Sequence, residues 1–185
     1  MKRSTDQIAD EFLARRCQAG SAKALEVLIE RWQERLWRHA VRLTREPSLA
    51  DDVLQESLIA IARGIHRLDD PARFRSWAYR IVSNKVADCI QQRQRRRAAE
   101  STAADHNVDS SLPSSTADPV ERVRIAMLGL DQKDRAILAL FYLDEMTVIE
   151  VADICGIPYG TVKSRLYHAR KKLKSVLEKE TRLTS

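Results

Sequence analysis

Apolar residues recur at spacings of three and four along almost the whole chain and nowhere alternate over a strand-length run. That is the period of helices that each bury one face, so the expected fold class is all-α. Leu25, Leu28, Ile29, Trp32 and Leu36 form one stripe, and Ala50, Val53, Leu54, Leu58, Ile61, Ala62 and Ile65 a second. Pro47 interrupts the first of these helices, and Ser48 with Asp51 three residues later reads as the capping signal that opens the next. After the short segment RLDDPAR, a third helix turns Phe74, Trp77, Ala78, Ile81, Val82, Val86 and Cys89 inward and keeps a polar opposite face on which Tyr79 stands.

One stretch breaks the pattern. Residues 98–119, AAESTAADHNVDSSLPSSTADP, hold no Lys, Arg or aromatic side chain and are rich in Ser, Thr, Ala and Asp. Such a segment cannot bury enough apolar surface to offset its ordering entropy. It reads as a flexible linker, roughly 70 to 80 Å when fully extended and about 25 Å on average. Two small helical domains, residues 1–97 and 120–185, are therefore expected to be tethered and not fused. Beyond the linker, Val120, Val123, Met127 and Leu128 begin a helix, and Asp131 is placed to cap the next, which carries Ile137, Leu138, Leu140 and Phe141.

The net charge of +6 makes an acidic partner such as nucleic acid plausible. Its distribution says more. Gln91–Arg97 (QQRQRRR) and Gly160–Lys174 (GTVKSRLYHARKKLK) carry basic residues without one acid, which makes two separate basic surfaces. Cys17, Cys89 and Cys155 are scattered and lie outside any CxxC or Cys/His cluster, so they read as buried thiols in a reducing cytosol. No apolar stretch approaches the ~20 residues needed to cross a bilayer, and the N-terminus lacks a signal-peptide core. A cytoplasmic protein without membrane insertion is expected. There is no phosphate-binding glycine loop or metal-ligand cluster, and His39, His66, His106 and His168 are dispersed, so neither cofactor, metal nor catalysis is assigned.

The C-terminal end has the grammar of a helix-turn-helix. Thr147 and Glu150 form a capping box, Ile149, Val151, Ala152 and Ile154 supply the apolar face of a short helix, and Gly156 is suited to its left-handed cap. Ile157 can plug the turn, Pro158 prevents continuation, and a final helix buries Val162, Leu166, Ala169, Leu173 and Val176. Its first turns present Thr161, Lys163, Ser164, Arg165 and His168, short polar and cationic groups of the kind that meet base edges in a major groove. Arg170, Lys171, Lys172 and Lys174 lie where a departing helix meets the phosphate backbone.

The segment GTVKSRLYHARKKL (160–173) closely resembles the recognition helix of bacterial sigma factors, in which domain four reads the minus-35 promoter element. The N-terminal half narrows the family: ADDVLQE (50–56) followed by FRSWAYRIVSNKVAD (74–88) looks like sigma domain two. The resemblance covers about Glu11 to Glu178 and leaves no place for the family's third domain, which is like the extracytoplasmic-function (ECF) group of the sigma-70 type and its alternative, stress-responsive transcription factors. It departs from the family's pattern at Met146, where glycine is common before the scaffold helix, and at Tyr159, where a small or acidic residue is frequent.

The resemblance implies a partner and two DNA sites. Asp51, Asp52, Gln55 and Glu56 would dock on the β′ clamp helices of core RNA polymerase, with the β flap as a further contact. Arg80, Ser83, Asn84 and Asp88 would engage the minus-10 element as a melted strand, with Asn84 and Asp88 choosing the base and Arg93 and Arg96 holding phosphates. Thr161, Lys163, Ser164, Arg165, His168 and Lys171 would read or grip the minus-35 duplex. An anti-sigma factor is a further expected partner, beside promoter DNA. A free-standing helix-turn-helix regulator would explain the C-terminal half equally well, but it leaves ADDVLQE and FRSWAYRIVSN without a role.

Overall fold

A computed structural model describes residues 5–100 and 119–183. The elements are α1 (Thr5–Gln18), α2 (Ala22–Thr44), α3 (Pro47–Gly64), two single 3-10 turns (Ile65–Arg67 and Pro71–Arg73), α4 (Phe74–Glu100), α5 (Pro119–Leu128), α6 (Gln132–Leu138), α7 (Val148–Cys155) and α8 (Tyr159–Leu183). A π-helical turn, Ala139–Leu143, prolongs α6. Among the described residues there is no strand, as the periodicity requires.

Boundaries follow local chemistry. The Ser21 hydroxyl accepts from the Ala24 N–H to open α2, and Arg45, left-handed at φ 65°, closes it. The expected cap of α3 is corrected: Glu46 sits at the N-cap and Pro47 begins the helix. Proline's fixed φ and missing N–H suit the first helical position, so Ser48 falls inside the helix and its hydroxyl donates to the Glu46 carboxylate instead (3.1 Å). Further along, the Asp131 carboxylate accepts from the Asp134 N–H (2.9 Å) at the start of α6.

The N-terminal domain packs α1 to α4 around Leu28, Leu36, Ala40, Ala50, Val53, Ile61, Phe74, Ala78, Val82 and Val86, all buried. Trp32 crosses the middle, with Phe74 and Tyr79 both edge-on to it at 6.1 Å. Trp77 lies at the rim of this core and is half-buried, against Phe74 and the Cα of Gly64, where an added Cβ would come within 3.0 Å of the indole. Tyr79 departs from expectation. It is 2% exposed, because one residue beyond Ala78 turns it about 100° around α4, towards Trp32, His39 and the other domain.

The C-terminal domain closes over Met127, Leu130, Ile137, Leu138, Leu140, Met146, Val151, Ile154, Val162 and Leu166. Its charged fastening is a Lys172 ammonium held between Asp131 (3.0 Å) and Asp134. The Asp134 N–H and that ammonium favour the ionised Asp131 carboxyl and draw its pKa down to about 2. A group depressed in this way adds stability that is present above the ordinary carboxylate pKa and is lost as pH falls towards the folded value. Helix loss in this domain is therefore expected to begin below about pH 4, and Asp131→Asn should flatten that acid dependence. Urea unfolding followed by circular dichroism from pH 6 to pH 2 measures both.

The linker expectation is corrected at both ends. Ala98–Glu100 continue α4 and Pro119 begins α5, while residues 101–118, His106 among them, lie outside the described residues. The two domains are also in contact. Arg135, 4% exposed, donates to the Leu43 carbonyl at the C-terminal end of α2 and to Leu130 O (3.1 Å each), and Arg45 reaches back to the same Leu130 carbonyl. The C-terminal domain thus covers a carbonyl at the open end of α2, and the N-terminal domain meets the loop between α5 and α6.

Candidate nucleic-acid interface

The helix-turn-helix is built as its sequence dictates. Thr147 Oγ1 accepts from the Glu150 N–H (3.2 Å) while the Glu150 carboxylate accepts from the Thr147 N–H (2.8 Å), a closed capping box. Gly156 ends α7 at φ 64°, and the Pro158 carbonyl accepts from Thr161 and Val162 to start α8. Buried Val162, Leu166 and Ala169 fix the roll of α8. That roll leaves Lys163, Ser164, His168 and Lys171 exposed, with Thr161 and Arg165 half-buried at the edge. Lys163 Nζ stands 4.6 Å above the Tyr159 ring, and Ser164 Oγ donates to Thr161 O.

One expectation in this region is corrected. Ile149 is 65% exposed and belongs to no apolar face, since α7 is turned by Val151 and Ile154. Lys172, read as a phosphate contact, is engaged by Asp131 and Asp134 on its own domain. Burial also pushes the Cys155 thiol up, with the Arg165 guanidinium opposing this.

On α4, Arg80, Asn84 and Asp88 stand exposed at four-residue spacing, a single face of the helix. Ser83 is half-buried, with its hydroxyl 3.0 Å from His39 Nε2. Arg93 is paired with Glu46 (2.5 Å), whereas Arg96 is exposed. Arg80 also lines a 220 Å³ cavity with Leu68, Asp70, Ser76 and Trp77, the loop before α4 and its first turns. Asp153 of α7 closes that cavity and is ion-paired with Arg73. On α3, Asp51, Asp52, Gln55 and Glu56 share the exposed face opposite Ala50 and Val53. Asp51 accepts from Trp37 Nε1 (2.6 Å) and Glu56 pairs with Lys85 (3.0 Å).

The sequence reading missed a polar cluster between the domains. Asp144, in the turn before α7, accepts from Arg42 (2.7 Å) and Tyr79 (3.2 Å) and lies 3.1 Å from His39 Nδ1. Burial raises the Asp144 pKa, but the His39 hydrogen bond and the Arg42 charge outweigh it and hold the carboxyl below its ordinary range. Burial, and then the same carboxylate, push the Tyr79 hydroxyl above the tyrosine range. No local pattern announces the pairing, because His39 and Asp144 lie 105 residues apart. Among the described residues there is no cluster able to hold a metal ion, and no helix long and apolar enough to cross a membrane.

An all-α pair of domains with a capped helix-turn-helix at the second defines a class, and comparison with known proteins agrees with it. Residues 28–96 match sigma-70 region 2 and residues 121–173 match sigma-70 region 4. The ECF RNA polymerase sigma factor SigL of Mycobacterium tuberculosis is 30% identical over 163 residues, which covers 86% of this chain and 92% of the relative. SigW of Bacillus subtilis is 26% identical over 170 residues, 85% and 91% of the two chains. The solved structure of CnrH in complex with the cytosolic domain of CnrY superposes with a TM-score of 0.70 at 26% identity, over 92% of this chain and 97% of that one. RpoE of Bartonella quintana, in complex with the anti-sigma factor NepR, has the same fold, at a TM-score of 0.72 over 85% of this chain and 98% of that one with 20% identity. The chain belongs to the ECF sigma factors of the sigma-70 family, and it is an alternative sigma factor that directs transcription initiation.

Proposed function

We propose that this sigma factor divides promoter recognition between α8, which reads the minus-35 duplex, and α4, which captures the melted minus-10 strand, while α3 docks on the β′ clamp helices of core RNA polymerase. The observation that carries this reading is the arrangement of three exposed polar faces, each turned outward by its own buried stripe. Thr161, Lys163, Ser164, Arg165 and His168 are the base-facing set of α8, and Lys171 meets phosphate. Asn84 and Asp88 select the minus-10 base, with Arg80 and Arg96 on the strand backbone. Ser83 and Arg93, which hold partners within the chain, join that site once those contacts open. Asp52 and Gln55 lead the polymerase face, with Asp51 and Glu56 beside them. Basic clamp helices suit such a carboxylate-bearing surface.

The likeness to CnrH solved with the cytosolic domain of CnrY, and to RpoE solved with the anti-sigma factor NepR, supports an anti-sigma partner here as well. Chemistry is left to the polymerase, and this chain supplies recognition. The test is run-off transcription from a genomic fragment library by core polymerase, with and without the protein. The expected result is a new set of start sites that Asn84→Ala changes, with protein retained on core at one-to-one stoichiometry. A protein that shifts duplex DNA alone and leaves core transcription unchanged would instead be a free-standing regulator.

A further inference from the structure

The cluster around Asp144 has a property that the assignments above leave unused. On the N-terminal domain, Arg35, Arg38 and Arg42 follow one another along α2, and Arg75 and Tyr79 face them from α4, around a 360 Å³ cavity. Into this surface the C-terminal domain inserts Asp144 and Glu145. One Asp144 carboxylate oxygen accepts from Arg42 and Tyr79, the other lies against His39, and the Asp144 carbonyl accepts from Arg75. Oxygens of one residue surrounded by guanidinium, phenol and imidazole form the pattern in which proteins hold a phosphate.

Three observations point to a ligand other than Asp144. Two buried donors at the cavity wall, Trp32 Nε1 and Arg75 Nε, have no hydrogen-bond partner among the described residues. Arg35 and Arg38 extend the surface but, among the described residues, bond only within their own domain, Arg38 to Glu34 and Arg35 to Asp6 at 4.0 Å while lying over the Trp32 ring. The remaining acids of the wall, Asp6 and Asp10, are both bound by Arg31, so withdrawing Asp144 and Glu145 leaves an excess of positive charge. Position supplies the identity. His39 joins the cluster to Ser83, and the 75–79–83 stripe of α4 runs directly beside the 80–84–88 stripe assigned to base reading.

We propose that Arg35, Arg38, Arg42, Arg75 and Tyr79 form a phosphate-binding track for the melted promoter strand, and that Asp144 occupies it as a phosphate surrogate while the domains are docked. The inference rests on α4 as the minus-10 reader. Distance makes undocking necessary: elements named 25 positions apart are separated by roughly 85 Å at ~3.4 Å per base pair, whereas a compact chain of this length has a radius of gyration of only about 16 Å. Separating the two domains bares the track at the moment when single-stranded DNA arrives. Strand and Asp144 exclude one another, so the strand opposes docking as much as docking opposes the strand.

The test uses the full chain without polymerase and a fluorescein-labelled single-stranded DNA 15-mer of mixed sequence, read by anisotropy across a salt series, with small-angle scattering for compactness. Asp144→Ala should expand the chain and tighten binding at least tenfold. In that background Arg35→Ala and Arg38→Ala should each weaken binding about fivefold and lower the logarithmic salt slope by ~0.7, with little effect in the docked wild type. Asp144→Asn, which keeps the side chain's shape, replaces Asp144→Ala should the latter unfold. An expanded chain without tighter binding, arginine variants that leave the slope unchanged, or a chain that neither opens nor binds better with either substitution would each overturn the proposal. Start-site selection by wild-type and Asn84→Ala holoenzyme is scored in parallel. A shift with Asn84→Ala confines such a failure to the track, and no shift removes the reading of α4 on which the track depends.

Discussion

Replacing Trp32 with alanine will unfold the N-terminal domain while the C-terminal domain keeps its helices. The indole is 2% exposed and is the only large group in contact with both Phe74 and Tyr79 among the described ring pairs. Removing a buried aromatic of this kind costs about 3–5 kcal/mol, a large share of the 5–15 kcal/mol that holds a typical domain together. Trp32→Phe should be far milder. Phenylalanine keeps the edge-on contacts, and it removes an N–H that is buried without an acceptor among the described residues, a defect worth about 1–3 kcal/mol. Urea unfolding followed by circular dichroism should show an early first transition for Trp32→Ala and a near-normal one for Trp32→Phe. Loss of start-site selection should follow the first variant alone. Equal destabilisation by both would mean that the indole nitrogen contributes a bond after all, and normal stability of the alanine variant would remove Trp32 from the core.

The contrast between Trp32 and Asp144 shows where the sequence was readable. Trp32 lies in a stripe with Leu25, Leu28, Ile29 and Leu36, and a period of 3.6 is a local property, so helices and their inward faces could be assigned from neighbours alone. Caps behave likewise: Thr147, Glu150 and Gly156 act within a few residues, and each was found as expected. Where local signals compete, the backbone and the deeper side chains decide. Ser48 had the chemistry of a cap, but Pro47 had the backbone that begins a helix, and the backbone prevailed. Ile149 is apolar yet exposed, because the roll of an eight-residue helix is set by the deeper Val151 and Ile154.

Contacts between the domains lay beyond such reasoning. His39, Arg42, Tyr79 and Asp144 are ordinary surface or amphipathic residues on their own elements, and only the docking of α2, α4 and the turn before α7 brings them together. The composition of residues 98–119 argued for independent domains, and a polar linker says nothing against a specific interface between what it joins. The candidate DNA residues were legible for the opposite reason. Exposure opposite a buried stripe follows from the period itself, and Asn84, Asp88, Lys163, Ser164 and His168 are all found exposed. Ser83 and Arg93 are the informative exceptions, since each spends its polar group on a partner, His39 and Glu46, that no local pattern reveals.

Substituting Arg165 and Lys171 will separate base reading from phosphate attraction on α8. Arg165 is half-buried beside the turn and points from the second turn of the helix, where a groove-bound helix meets base edges. Lys171 is exposed a turn and a half further on, where a groove-bound helix would pass the backbone. Losing a base-edge contact costs about 1–3 kcal/mol at the base it reads and little at promoters that already lack that base. Arg165→Ala should therefore reduce open-complex formation by roughly five- to 150-fold on the preferred promoter and flatten the ranking of minus-35 variants. Lys171→Ala should weaken every promoter by a similar factor and reduce the salt slope of holoenzyme binding by ~0.9, one phosphate's share. Neither change touches Val162, Leu166 or Ala169, so thermal unfolding should stay within about 0.5 kcal/mol of wild type. A panel of promoters with each minus-35 position substituted in turn, transcribed by holoenzyme at two salt concentrations, distinguishes the roles. Should Arg165→Ala weaken all promoters equally while Lys171→Ala reorders them, the register of α8 in the groove is shifted and the base-facing set must move towards its C-terminal turns.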